Sequence, residues 1–425
     1  MTLQERDSRS IWHPFTPASA PPNIGIVRAE GVWLYAEDGR KFLDGTASWW
    51  VNAHGHAHPY ITQCLAEQAQ QLEHIIFAGF THAPAVSLAE RLLSLLNSHF
   101  DRIFYSDNGS TSVEVALKMA LQFFKNRDVP KKRIIAFEHS YHGDTFGAMS
   151  VGHRNAFSAA FDELLFEVDF IPAPVSGMEE ASIKQFKMLA KKNNVAAFIF
   201  EPLVQGAGGM RMYKPQTLNS MLRLCKFHGI LSIADEVFTG FYRTGTAFAS
   251  QQLHYTPDII CLSKTLTGGT LPLGVTAVPE FIYRAFQSKD PMHTFFHGHS
   301  FTANPLSCAA ALASLDLFER KETRDRIGAI AMQHKKFHDA LNGHPALIDV
   351  RCLGTILAIE FRTEAETGYL NPAGQEITEF FLARGIYLRP LGNVLYFTPP
   401  YCIRDEELNI VYAAIKELLE TWKTL

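Results

Sequence analysis

The chain has 425 residues, 47% of them apolar and 19% charged, with 28 Gly, 21 Pro and a formal net charge of −4. That is room for roughly two to three domains, and so ordinary a mix excludes collagen-like, low-complexity and wholly disordered chains. The mild charge leaves no electrostatic footprint for nucleic acid, no apolar run approaches the ~20 residues that span a bilayer, and residues 1–10 lack the apolar core of a signal peptide, so a cytoplasmic protein is expected.

Residues 12–31 carry Pro14, Pro17, Pro21 and Pro22 and read as an extended lead-in. Residues 32–43 read as a hairpin, two short apolar runs around Glu37-Asp38-Gly39. Trp49 and Trp50 follow in a stretch rich in Gly and His. Seven short runs then alternate with longer helical patterns: 103–106, 133–137, 168–171, 196–200, 230–234, 258–262 and 273–277. Most are continuously apolar, as strands covered on both faces are. The alternation predicts an α/β fold with a mostly parallel seven-stranded sheet. The last two runs lie too close for a helix between them, so that pair is expected to be antiparallel. From about residue 318 the pattern changes. Amphipathic stretches at 324–341, 376–384 and 405–422 surround short strands near 348–350, 355–360 and 395–397. The expected division is therefore a large domain over 56–318 and a small α+β domain over 319–425, to which residues 1–55 contribute.

Cys64, Cys225, Cys261, Cys308, Cys352 and Cys402 are scattered, without a CxxC pair, which argues against a zinc ribbon or redox dithiol. His54, His56 and His58 alternate, and His293, His297 and His299 recur in a second Gly-containing loop. No acid or cysteine sits at ligand spacing beside the first set, so no metal is expected.

Three features carry chemistry together. In residues 106–120, SDNGSTSVEVALKMA, a strand gives way to a helix, with Thr111 and Glu114 at capping-box spacing. Gly109 and Ser110 at that junction suit a phosphate, because free N–H groups and the helix dipole point there. Asp235 ends an apolar strand and can neutralise a cationic ring nitrogen. Lys264 follows another apolar strand, although a hydrated lysine prefers open surface. A desolvated lysine can form a Schiff base. A phosphate cradle, an acid and a Schiff-base lysine are what pyridoxal phosphate needs. Tyr141, in the loop after the strand at 133–137, can lie flat on a planar cofactor. Arg389, among apolar residues near the end of the chain, has the two-pronged geometry for a carboxylate.

With these residues, the chain resembles the class III (ω-amino acid type) aminotransferases, pyridoxal-phosphate enzymes of fold type I, over nearly its whole length. Within them it is similar to the members that aminate 8-amino-7-oxononanoate in biotin synthesis. The features of that branch are Trp12-His13-Pro14-Phe15-Thr16, Ser48-Trp49-Trp50, the run from Tyr141 to Ser150, EPLVQGAGGMRMY from Glu201, and Arg389-Pro390 before Pro399-Pro400-Tyr401. The resemblance implies a homodimer with shared active sites. Lys264 would be the Schiff-base lysine and proton shuttle, Asp235 the partner of the ring nitrogen, and Gly109 and Ser110 the phosphate site, with His299 and Ser300 reaching in from the other subunit. Tyr141 would stack on the ring. Phe15, Trp49, Trp50 and Gly298 would line the substrate pocket, and Arg389 would hold the keto acid's carboxylate. Members using S-adenosylmethionine often carry Tyr at the position of Phe15, and some have Pro-Thr at His299-Ser300. The donor, S-adenosylmethionine or lysine, stays open on these residues, as does a class III enzyme with an acceptor such as pyruvate.

Overall fold

The computed structural model describes residues 1–422. The strands of its largest sheet are β1 (Arg102–Ser106), β2 (Arg133–Phe137), β3 (Asp169–Ile171), β4 (Val195–Phe200), β5 (Leu231–Asp235), β6 (Ile259–Leu262) and β7 (Gly274–Val278). Their order across the sheet is β1-β7-β6-β5-β4-β2-β3. β7 runs antiparallel to both neighbours, and the other ladders are parallel. The seven expected runs are thus all strands, displaced by at most one residue at an end. β4, β5, β6 and β7 are buried at every residue, which explains their continuous apolar reading.

The helix after β1, α1 (Gly109–Lys125), buries a stripe of Val113, Ala116, Leu117, Ala120, Phe123 and Phe124 against the sheet. Its start differs from the expected capping box. Asn108 is the N-cap, and Asn108 and Thr111 exchange backbone-to-side-chain hydrogen bonds of 3.0 Å. Glu114 turns instead to the neighbouring loop, accepting from Thr145 Oγ1 (2.6 Å), Gly147 N (2.7 Å) and Ala148 N (3.1 Å). A carboxylate over the amides that open the helix Phe146–Val151 uses the same dipole as a cap, but across two elements.

Both chain ends meet beyond this sheet. The lead-in closes with a strand, Ile26–Glu30, that the reading of 12–31 as extended did not distinguish. It pairs with Trp33–Ala36, which pairs with Lys41–Asp44, the hairpin expected at 32–43. Lys41–Asp44 then takes Ile386–Tyr387 as a parallel neighbour. Trp33 Nε1 donates to Glu407 Oε1 at 2.9 Å, joining residues far apart in the chain. A second antiparallel sheet holds Leu347–Leu353, Ile356–Phe361 and Val394–Phe397. The helices Pro305–Glu319 and Lys321–Leu341 are separated by the single extended residue Arg320. The helix expected at 324–341 therefore begins a turn earlier. Two helices not separately expected, Pro59–Gln71 and Ala83–Leu96, pack on Pro305–Glu319.

In the order of this sheet, the carboxyl ends of β1, β2, β4, β5 and β6 lie along one edge, where open α/β sheets bind ligands. β7 enters that edge from the opposite direction at Gly274. A Cβ built there would lie 2.3 Å from Asn108 O and 2.4 Å from Ser106 Oγ, so the backbone of β7 sits directly against the N-cap of α1. Gly274→Ala is expected to lose about 1–3 kcal/mol by overpacking, read as a lower denaturation midpoint, with weakened ligand binding at the start of α1.

Candidate functional site

The strand ends enclose a cavity of about 420 Å³, lined among others by Gly109, Ser110, Tyr141, Asp235 and Lys264. Five residues read from four separate stretches of sequence thus come together, and Trp50 is a sixth. α1 opens on Gly109, with Ser110 behind it, so its first amides have no intrahelical partner. A Cβ on Gly109 would lie 2.7 Å from Val237 Cγ1, and one on Gly143 2.1 Å from Ser110 Oγ. Only glycine lets the backbone approach this closely at both points. Asp144 N donates to Ser110 Oγ at 3.3 Å, fixing the loop of Tyr141 over the helix start.

Asp235, 5% exposed, ends β5. Its Oδ1 accepts from Val237 N at 3.0 Å, and its Oδ2 lies 2.7 Å from His142 Nδ1. Since a carboxylate only accepts, that ring nitrogen is the donor. His142 is buried and its Nε2 has no partner among the described residues. This His142–Asp235 contact joins the loop after β2 to the end of β5. Between them lies Glu201, directly after β4. Its carboxylate accepts from Tyr141 N at 3.2 Å and Gly206 N at 2.8 Å, and its own carbonyl accepts the Tyr213 hydroxyl. Burial lifts the Glu201 carboxyl to about 7, against the pull of His142 and two backbone amides. Neither His142 nor Glu201 was singled out in the sequence for this role. Their signal was available only as polar residues at the ends of apolar strands.

Lys264 adopts φ 45°, a left-handed backbone that a non-glycine residue rarely holds without a functional reason. Its Nζ lies 4.7 Å from the centre of the Trp50 ring. Burial pushes its ammonium below the ordinary lysine range, while Asp235, Glu201 and Asp144 pull the other way. Burial also raises the Tyr141 phenol, and its hydroxyl donates to Asp144 at 2.9 Å.

Trp49 and Trp50 stand on an unusual turn. Ala47, Ser48, Trp49 and Trp50 have φ of 48°, 46°, 75° and 70° in succession. A left-handed residue costs roughly 1–2 kcal/mol unless it is glycine. On this turn Trp49 meets Arg389, whose guanidinium carbon is 4.7 Å from the ring centre, and Phe15, at 5.5 Å edge-on. Phe157 packs edge-on to Phe15 at 5.6 Å and to Tyr369 at 4.6 Å, and the Tyr369 hydroxyl is 3.3 Å from Arg389 Nη2. Burial works against the Arg389 charge, but the Tyr369 and Tyr387 hydroxyls outweigh it, so the guanidinium keeps its proton still more firmly than usual. Phe157 and Tyr369, from two distant loops, complete an aromatic surround for Arg389 that no single motif displayed.

Gly298, His299 and Ser300 do not line this cavity. Gly298 and Ser300 are exposed, and His299 Nδ1 is 3.6 Å from Asp107 Oδ2. The other loop histidines have local partners: His56 Nε2 is 2.9 Å from Asp44 Oδ2, and His54 Nε2 is 3.0 Å from Ser314 Oγ. Among the described residues no His, Cys, Asp or Glu group is arranged to hold a metal ion.

The cavity fits pyridoxal phosphate by its donor set. It offers helix amides and a hydroxyl for the phosphate, a buried carboxylate for the ring nitrogen, and a desolvated amine. The family model described as Aminotransferase class-III matches residues 15–419. An adenosylmethionine-8-amino-7-oxononanoate aminotransferase of Synechococcus elongatus is 50% identical, covering 96% of this chain and 98% of that protein. The crystal structure of the enzyme of that name from Methanocaldococcus jannaschii superposes with a TM-score of 0.91 at 34% identity, over 98% of each chain. A PLP-bound amine transaminase from an uncultivated Pseudomonas species gives 0.91 at 29% identity, over 97% of this chain and 98% of that one.

Glu201 yields a pH prediction. Its folded pKa of about 7 stands above the ordinary 4.5. The folded state therefore binds this proton more tightly than the unfolded chain. The stability so gained is complete below the lower value and lost as pH rises to the upper one. At ~1.4 kcal/mol per unit, the loss is about 3 kcal/mol. Denaturant unfolding should show Glu201→Gln gaining about that much on the unaltered chain between about pH 4 and about pH 8. Parallel pH profiles would remove the assignment.

Proposed function

The chain belongs to the class III aminotransferases, pyridoxal-phosphate enzymes, and we propose that it aminates 8-amino-7-oxononanoate to 7,8-diaminononanoate in biotin biosynthesis, with S-adenosylmethionine as the donor. Relatives similar over almost the whole chain carry that activity in their names. The observation that carries the acceptor is Arg389 set against Trp49, on the same turn whose Trp50 covers Lys264. A fixed carboxylate-binding cation is thereby separated from the reactive amine by an apolar wall, which suits a long chain with an acid at its far end.

The residues divide the work as follows. The Gly109 and Ser110 end of α1 binds the phosphate of the cofactor. Asp235, oriented by His142 and the Val237 amide, holds a proton on the ring nitrogen. Tyr141 packs on the ring face. When bound, pyridoxal phosphate supplies an electron sink for the pair left when the donor's Cα–H bond breaks. Lys264, its proton affinity lowered by burial, takes the proton from that Cα as a neutral amine and delivers it as the acid in the same half-reaction. Arg389 then fixes the acceptor's carboxylate, and Trp49, Trp50 and Phe15 exclude water along its chain. In the second half-reaction Lys264 moves the proton in the reverse direction.

We infer further that residues 56–318 form the cofactor-holding unit, closed over by 1–55 and 319–425. The enzyme works as a cytoplasmic homodimer, with Gly298, His299 and Ser300 completing the partner's site. The exposure of that loop, with Phe296 69% and Phe301 59% accessible, supports this use. No described helix is long and apolar enough to cross a membrane.

The purified enzyme should convert 8-amino-7-oxononanoate with S-adenosylmethionine, and Phe15→Tyr should leave that donor preference in place. Product with lysine alone would reassign the donor, and no product with either donor would overturn the reading. Arg389→Ala should raise the acceptor KM by roughly 30-fold, as expected for losing a charge-assisted bond to a carboxylate. An unchanged KM would move the carboxylate site elsewhere.

A further inference from the structure

The left-handed turn under the tryptophan pair is held by one buried carboxylate. Asp44 ends its strand with no exposure. Its Oδ1 accepts from Thr46 N and Ser48 N, both at 3.1 Å, and from Thr46 Oγ1 at 3.3 Å. Its Oδ2 accepts from Ser48 Oγ at 2.8 Å and faces His56 Nε2 at 2.9 Å. His56 is steadied in turn by Asn52, 3.2 Å from its Nδ1. The hydrogen bonds of the turn, Trp50 N to Thr46 O and Val51 N to Ala47 O at 2.9 Å, close a left-handed loop that L-residues otherwise avoid. None of the four residues is glycine, so contacts must hold this backbone, and Thr265 Oγ1 adds one by donating to Trp50 O at 3.1 Å.

The geometry points to Asp44, braced by His56, as a positioning residue for acceptor specificity: by accepting five hydrogen bonds from the turn and the ring, it fixes Trp49 against Arg389. This rests on the long-chain keto acid reading above. Asp44 does not itself line the cavity, so its effect passes through the backbone of residues 47–50. Asp44→Asn keeps the volume but turns an amide toward the Ser48 and His56 donors, which it cannot satisfy. The turn then relaxes toward right-handed backbone and the exposed Trp49 indole leaves Arg389, while Trp50, packed on Phe238 and Tyr396, stays over Lys264.

The test uses the cofactor-loaded enzyme and steady-state kinetics with 8-amino-7-oxononanoate. Asp44→Asn should raise the acceptor KM about tenfold, with kcat and the visible absorbance of the bound cofactor nearly unchanged. Near-ultraviolet circular dichroism should report the moved Trp49 indole. His56→Gln should act in the same direction more weakly. The double variant Asp44→Asn/Ala47→Gly should recover most of the lost KM, because glycine adopts the left-handed backbone without the clash. A KM within twofold of the unaltered enzyme overturns the inference. So does a loss of cofactor absorbance and kcat together without rescue by Ala47→Gly, which would make Asp44 a general fold residue. Failure of the unaltered enzyme to aminate the acceptor counts separately, against the function reading itself.

Discussion

Charge brought out of water is the constraint on which this site depends. The sheet interior is apolar from β4 to β7, yet at its carboxyl edge it must accommodate Asp235, Glu201, His142 and Lys264 within one cavity. Buried charges persist only where partners meet them. Asp235 has His142 and the Val237 amide, and Glu201 has two backbone amides. Among the described residues no ion pair holds the Lys264 proton, and burial outweighs the pull of Asp235, Glu201 and Asp144 to lower its proton affinity. That is the state a lysine needs if it is to act as a nucleophile and base.

Strain is the second element, and part of it falls at the site. Lys264 and residues 47–50 are left-handed without being glycine. Such backbone persists where surrounding contacts over-determine it. At Lys264 the surroundings are the ends of β6 and β7. At the tryptophan turn they are Asp44 and its donors under residues 46–48, and Thr265, Phe238 and Tyr396 around Trp50. The tryptophan turn thus rests in part on a hydrogen-bonded carboxylate one layer behind it, while the start of α1 is shaped by glycines that let backbones close up, Gly109 and Gly143 above all.

Much of this was legible in the sequence because strand ends are marked by composition. Lys264 and Asp235 stood out as charges directly after apolar runs, and Gly109-Ser110 as a turn before a periodic helix. The antiparallel place of β7 followed from the short connection after β6. What escaped depends on strand order, which no local pattern encodes. His142 and Asp235 meet because β2 and β5 both flank β4. Glu114 looked like half of a capping box, but Asn108 occupies the cap and Glu114 serves the neighbouring helix. The Arg389 surround needs Phe15, Phe157 and Tyr369 from three distant segments, and periodicity cannot bring those together.

The central claim is that Lys264 is the amine to which the cofactor attaches, in the cavity built by Asp235 and the start of α1. The most direct measurement is borohydride reduction of the purified enzyme, followed by protease digestion and mass spectrometry. The account predicts a pyridoxyl mass on the peptide containing Lys264, in proportion to the cofactor bound. A label on a different lysine, or cofactor that reduction leaves fully removable, would contradict it.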